Sequence, residues 1–297
     1  MTRSCSLDPG TSYTSHAERP RVGIDGFALS LEKGTGVTSY PRNLSFAPRD
    51  LGATIDVLYG RRISRGVDAL SPEVELFDVT SNPARRWWGT RSLVSAGHAL
   101  WTLFTNRVRA TEVPVRGTVE LKPIVGRLPA YDRILNSLDL FVRAHLQFRL
   151  TRRLLRVQIP DPPEIFHWTY PMPLYVAGSK NVYTILDLIP LRLPYTTLDD
   201  KRHHIKLLRA ICRRADLIVT ISEHSRRDIE GILGPLRCPV ANTYVNAWVP
   251  REIREIRGEE LQHQLATVFG LRPREYFLYV GAIEPRKNLP RLIEAYL

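Results

Sequence analysis

The stretch ADLIVTISEHSRRDIEGILG, residues 215–234, restricts the possible folds more than any other part of the chain. An apolar run of strand length, Leu217 to Ser222, passes straight into a helical pattern that Ser222 can cap and Gly234 can end. Strands that alternate with helical connections in this way suggest neighbours that run parallel. The runs EIFHW (164–168) and NVYTIL (181–186) have the same length and character. Between NVYTIL and LIVTIS lies a helix with Ile205, Leu208, Ile211 and Ala215 as its buried stripe. Thr197, ahead of Asp199 and Asp200, marks its start. Upstream, VGIDG (22–26), TIDVLY (54–59) and VELFDV (74–79) read as further strands. SYPRNLSFAPRDLG, between the first two of them, reads as a helix that Pro48 makes short or kinked. The expected class is α/β with a doubly wound parallel sheet.

The end of the chain repeats the pattern. In YFLYVGAIEPRKNLPRLIEAYL (276–297) an apolar run reaches Gly281, a Pro-containing turn presents Arg286 and Lys287, and Leu289, Leu292 and Ile293 open a helix. Strand-to-helix junctions in such sheets gather at one edge, where helix N-termini offer free N–H groups to ligands. Four junctions are expected to meet there: GTG at 34–36, LDLIP at 186–190, SEHS at 222–225 and EPRKN at 284–288. Gly34 and Gly36 permit close backbone approach to a ligand or simply form a turn. Asp187 can accept a hydrogen bond from a sugar hydroxyl or cap the turn after it. Ser222 and Glu223 can face a ligand or cap a helix. His167, inside a strand, reads as hydrogen-bonded core.

Of 297 residues, 43% are apolar, enough for a substantial core. Residues 1–20 are polar and turn-rich and are expected to form a disordered tail. Residues 21–250 read as one domain; 251–297, a helical segment followed by the terminal strand, turn and helix, read as a linker and the start of another. Cys5, Cys212 and Cys238 are too few and too scattered for a disulfide framework or a metal site, which suits a reducing, cytoplasmic setting. The formal net charge is +12, and residues 85–156 hold fourteen Lys and Arg against four Asp and Glu, a surplus of ten. This window, about 85–157, reads as a basic helical insertion with Ile134, Leu138, Phe141, Val142, His145 and Leu146 on one face. Two readings stay open for it: surface helices packed on the sheet, or peripheral contact with an anionic membrane through its arginines and Trp87, Trp88, Trp101 and Phe104. No nucleic-acid-binding motif accompanies the charge.

FHWTYPMPL, VYTILDLIPLRLP, ADLIVTISEHSRRDI and YFLYVGAIEPRKNLPRLIEAY, in that order and at their spacing, resemble the retaining, nucleotide-sugar-dependent glycosyltransferases of the GT-B type, in the group-one or family-four class that includes mannosyl- and rhamnosyltransferases. The resemblance covers residues 21–297. It implies two Rossmann-like domains facing across a cleft, an amino-terminal one for the acceptor and a carboxyl-terminal one for the donor. It implies transfer of a sugar from a nucleotide diphosphate to a lipid-linked or polysaccharide acceptor, without a metal cofactor. Donor binding would fall to Lys287 and Arg286 at the diphosphate, with Gly34, Gly36, Ser222 and Glu223 nearby and Asp187 as the candidate for catalysis. The cations match the charge that grows on the leaving diphosphate. Two departures stand out. Leu186 occupies the place where the family usually has histidine, and leucine neither donates a hydrogen bond nor shares a proton. The family's pair of donor-binding glutamates would fall beyond residue 297. The expectation is therefore a donor domain cut short and transfer activity impaired in this chain, or else a non-catalytic module for acceptor or anionic-membrane binding. The corresponding location is the cytoplasm or the inner face of the cell membrane.

Overall fold

The computed structural model describes residues 19–30, 36–63, 72–77, 101–122, 128–198, 200–245, 251–256 and 258–297. Strand β1 (Arg21–Asp25), helix α1 (Gly36–Asp50) and strand β2 (Thr54–Tyr59) form the first unit. Helix α2 (Pro72–Phe77), α3 (helical residues 101–105) and strands β3 (Arg107–Arg109), β4 (Thr111–Glu112) and β5 (Arg133–Asn136) follow. Next come α4 (Leu140–Thr151), β6 (Leu155–Gln158), β7 (Ile165–Trp168), β8 (Leu174–Val176) and β9 (Lys180–Thr184). The remainder comprises α5 (Ile189–Arg192), α6 (Lys201–Arg214), β10 (Leu217–Thr220), α7 (Glu223–Leu233), β11 (Val240–Asn242), α8 (Arg251–Arg254), α9 (Gly258–Phe269) and α10 (Leu289–Tyr296).

Eight strands form the main sheet in the order β11-β10-β9-β7-β1-β2-β5-β4, parallel except for β4, which runs antiparallel to β5. A second, parallel sheet has the order β3-β6-β8. The fold is a Rossmann-like, mostly parallel α/β sheet, as the strand–helix alternation requires.

Both faces of the main sheet are covered, which explains why its strands read as nearly unbroken apolar runs. On one face, Phe166, Trp168 and Tyr183 pack with Leu155 and Leu174 of the small sheet and with Phe148 and Ile211 of α4 and α6. Asn181, fully buried, joins the two sheets: it accepts hydrogen bonds from Trp168 Nε1 (3.1 Å) and the Val176 N–H (2.8 Å) and donates to the Val176 carbonyl (2.9 Å). On the other face, Ile24, Ile55, Val57 and Ile134 pack with Leu44 of α1. A third cluster, with Leu188, Leu208, Ile218 and Ile229, fixes α6 and α7 beside β10. At Gly23, between β2 and β7, an added Cβ would lie 2.3 Å from the Phe166 ring and 3.0 Å from Pro163. Gly23→Ala is expected to cost about 1–3 kcal/mol. An unchanged urea midpoint in that variant would show that Phe166 moves aside freely.

Several elements differ from the sequence expectations. Pro72–Phe77 is a helix, not part of a strand, and residues 78–79 of that run lie outside the described residues. Pro72 starts it, and Glu73 turns inward to accept the backbone N–H groups of Arg116 (2.8 Å) and Thr118 (3.3 Å), a tertiary contact that local pattern does not reveal. Burial acts to raise the Glu73 pKa, but these bonds prevail and hold it below the ordinary value. Helix α1 is not short: it runs fifteen residues through Pro41 and Pro48. Pro48 falls in its last turn, so the missing N–H costs one bond near an end that frays in any case. Asp200, not Thr197, caps α6, accepting the His203 N–H at 3.0 Å.

The 85–157 window is not helical throughout. Arg107–Arg109, Arg133–Asn136 and Leu155–Gln158 are strands. Ile134 and Leu135 are neighbours whose side chains go to opposite faces of a sheet buried on both, so an apolar pair fits a strand as well as it fits a helix. In α4 the buried residues are Leu140, Phe141, Ala144, Gln147 and Phe148, whereas Val142 and Leu146 face outward. Trp87 and Trp88 lie outside the described residues; Trp101 and Phe104 are exposed. Among the described residues no helix is long and apolar enough to cross a membrane. Tyr276–Val280 does not form a strand: a strand exists only as part of a ladder, and among the described residues no segment pairs with it. Phe277, Leu278, Tyr279 and Val280 are exposed and Tyr276 is half-buried, while the turn and helix after it form as expected.

Candidate functional site

The strand order fixes where a ligand site belongs. From β1 the chain moves to β2 and β5 on one side, then returns to β7 on the other side of β1 and continues to β9, β10 and β11. The order therefore reverses between β1 and β7, and in open parallel sheets the crevice outside the carboxyl ends at such a reversal takes ligands. The two connections diverge there, because β1 leads to α1 on one face of the sheet while β7 leads to β8 of the small sheet on the other.

Asp25 closes β1 at this point and is fully buried. Its Oδ2 accepts hydrogen bonds from the Thr169 N–H and the Thr169 hydroxyl (2.9 Å), and its Oδ1 accepts the Phe27 N–H (3.1 Å). Burial pushes its pKa up to about 6 even though these three donors favour the charged form. The carboxylate thus ties the exit of β1 to the exit of β7, and Phe27 packs against Tyr170, the next residue along, with ring centroids 5.7 Å apart. On the opposite face of the sheet, His167 Nε2 and the Tyr40 hydroxyl converge on Thr184 Oγ1 at 2.7 and 3.0 Å. Burial lowers the His167 pKa to about 4, so the ring is neutral, and burial raises that of Tyr40. His167 is hydrogen-bonded interior.

Beside this latch lies a cavity of about 360 Å³ lined by Tyr170, Pro171, Leu186, Asp187, Ile189, Pro190, Thr196, Thr197, His204 and Glu284. The exit of β9 thus meets the turn before Lys287. Asp187 accepts the Ile189 N–H on Oδ1 (2.9 Å), the turn-capping role expected for it, and Oδ2 takes no hydrogen bond among the described residues. Thr197 Oγ1 is buried without a hydrogen-bond partner among the described residues. An open carboxylate oxygen and an orphaned hydroxyl in one apolar-walled cavity suit a polyhydroxylated ligand.

The other candidates are placed as follows. Ser222 caps α7, accepting the Ser225 N–H at 3.0 Å. Glu223 pairs with Arg226 (2.8 Å) and accepts from Asn242 Nδ2 (3.0 Å), and these bonds hold its pKa below the ordinary range. Neither residue lines the cavity. Gly34 lies outside the described residues, and Gly36 begins α1. Lys287 is exposed, and its N–H donates to the Glu284 carbonyl (2.9 Å), which places its backbone within one turn of the cavity wall. The Arg286 side chain lies outside the described residues. Leu186 is on the wall, so the position where the resemblance implies histidine presents an apolar surface to the cavity. Among the described residues no three His, Cys, Asp or Glu side chains lie close enough together to hold a metal.

Asp25, Tyr170 and Thr197 were not expected as part of the site, whereas Glu284 belongs to the EPRKN junction expected there. Only Asp25 left a legible signal, a carboxylate ending an apolar strand just before glycine. No protein-family model matches the chain, and no curated protein matches it. Among solved structures it is similar to a sucrose-phosphate synthase from Thermosynechococcus elongatus, with 9% identity over 76% of this chain and 90% of that one and a TM-score of 0.34, an overlap too loose to bear on activity.

Proposed function

We propose that the chain serves sugar transfer from a nucleoside diphosphate sugar to a glycan or lipid-linked acceptor. One observation carries the reading: a single cavity at the carboxyl edge of the sheet is walled both by Leu186 and Asp187 and by Glu284 of the basic turn. In this reading Asp187 Oδ2 and Thr197 Oγ1 hydrogen-bond sugar hydroxyls, and Tyr170 and Ile189 supply apolar wall. Lys287, with the N–H groups that open α10, meets the diphosphate. Asn288, which precedes α10, makes no side-chain cap to those groups. No metal has a role, because lysine and backbone dipoles stabilise the departing charge.

Calorimetric titration with UDP, GDP, UDP-glucose and GDP-mannose tests the reading. At least one nucleotide is expected to bind, and Lys287→Ala to weaken it about tenfold, the loss of one charged hydrogen bond. Asp187→Ala is expected to weaken the sugar nucleotide while leaving the free nucleoside diphosphate unchanged. Absence of binding to all four ligands, together with no transfer of labelled sugar, would overturn the proposal.

A further inference from the structure

The small sheet carries a cationic face that plays no part in the sugar-transfer reading. Along β3, exposed Arg107 and Arg109 flank buried Val108, so both side chains leave the same face from backbone positions about 6.6 Å apart along the strand. Register sets Arg156 beside Arg107 and Gln158 beside Arg109 on the neighbouring strand. Arg107, Arg109 and Arg156 make no ion pair among the described residues, and Arg156 Nε is buried with no hydrogen-bond partner. Like charges side by side on adjacent strands oppose folding.

A cavity of about 520 Å³ opens against this face, lined by Trp101, Thr105, Arg107, Val108, Arg109 and Gln158. Trp101 is 67% exposed. We propose that this cavity is a binding site for an acidic saccharide, one bearing carboxylate or phosphate groups. The indole offers a flat apolar surface for the C–H face of a sugar ring. Guanidinium groups pair with carboxylate or phosphate through two parallel hydrogen bonds, a geometry that lysine lacks. The Gln158 amide can pair with ring hydroxyls, and the Thr105 hydroxyl, which donates to the Trp101 carbonyl (2.8 Å), can still accept from one. The shape also favours a saccharide over a lipid surface: the aromatic and the cations line a concavity within the volume range of small-ligand pockets, whereas bilayer contact calls for a protruding apolar face.

The test is calorimetric titration of the full chain with oligogalacturonate, with a neutral maltooligosaccharide of equal length, and with phosphatidylserine vesicles, at about 150 mM salt, where long-range surface attraction is screened. Oligogalacturonate is expected to bind and the neutral sugar not. The double variant Arg107→Ala/Arg109→Ala is expected to weaken binding about a hundredfold, roughly tenfold for each charged hydrogen-bonding group. Trp101→Ala is expected to weaken it several-fold and to abolish any ligand-induced change in tryptophan fluorescence. All three positions are at the surface, and removing two of the crowded arginines relieves repulsion, so the melting temperature of the free variants should not fall below that of the parent chain and a binding loss can be read as such. Equal binding of the neutral sugar, binding confined to vesicles, absence of oligogalacturonate binding, or indifference to the double variant would overturn the proposal. None of these residues lines the cavity beside Asp187, so the outcome is separable from that of the nucleotide titrations.

Discussion

Arg133→Met is expected to destabilise the fold by about 3–5 kcal/mol, the cost of leaving a buried charge without its partner. Asp56, with its side chain only 1% exposed, sits on β2 and meets Arg133 of β5 through Nε (3.1 Å) and Nη2. Burial raises the Asp56 pKa above the ordinary carboxylate value, while the Arg133 hydrogen bond and the charges of Arg133 and Arg21 pull it back. Without Arg133 the folded-state value climbs further. The penalty is then full above that value and fades as acid protonates Asp56, so the gap between variant and parent should narrow as pH falls. The double variant Asp56→Leu/Arg133→Met should recover most of the loss, because an apolar pair of similar volume needs no desolvated charges. Urea unfolding across a pH series reads all three. A pH-independent gap would mean that the pair contributes shape and not charge. The pair lies near the amino-terminal edge of the sheet, where Arg133 also donates to the Asp161 carbonyl (3.0 Å) and Arg21 pairs with the Asp161 carboxylate (2.5 Å). It closes the end opposite the cavity.

Asp25→Ala is expected to cost a comparable amount, about 3–5 kcal/mol, because it strands three donors at once, the Phe27 N–H and the Thr169 N–H and hydroxyl. The parent chain carries a signature of its own. With the folded-state value near 6 and an ordinary value of 3.8, the unfolded chain ionises first as pH rises. Parent stability should therefore fall by about 2.5 kcal/mol between pH 4 and pH 7, and the variant should lack this slope. The difference between parent and variant is then largest in acid. Asp25→Asn should lie between them, since its amide oxygen still accepts from Thr169 while its NH₂ faces the Phe27 N–H. A parent slope of opposite sign over this range would show that the three donors outweigh burial.

The four junctions expected to meet at one edge illustrate how much of the site is legible in sequence. The LDLIP and EPRKN segments share a cavity, because each follows a position on the same side of the fold and Glu284 closes over the β9 exit. SEHS does not join them. Ser222 and Glu223 are consumed by capping α7 and by pairing with Arg226 and Asn242, the local uses that compete for such residues at any helix start. The cap and the ligand contact share one sequence signal, and only the position of the third partner tells them apart. Thr197 shows the converse: sequence spacing makes it a helix cap, but Asp200 takes that role and leaves the Thr197 hydroxyl on the cavity wall.

Local pattern was sufficient to determine the parallel α/β class, the α6 and α7 helices and the apolar strands β1, β2, β7, β9 and β10, because period and capping act over a few residues and the chain carries them regardless of context. What the sequence left open was settled by contacts across the chain. Pro72–Phe77 is a helix because Glu73 finds N–H groups more than forty residues away. Ile134 and Leu135 are a strand because β2 offers a ladder, and Tyr276–Val280 is not because no described segment does. The reversal of strand order between β1 and β7, and with it the position of the cavity, exists only once distant strands have paired, since pairing partners are chosen by the packing of whole faces and not by any residue's own preference.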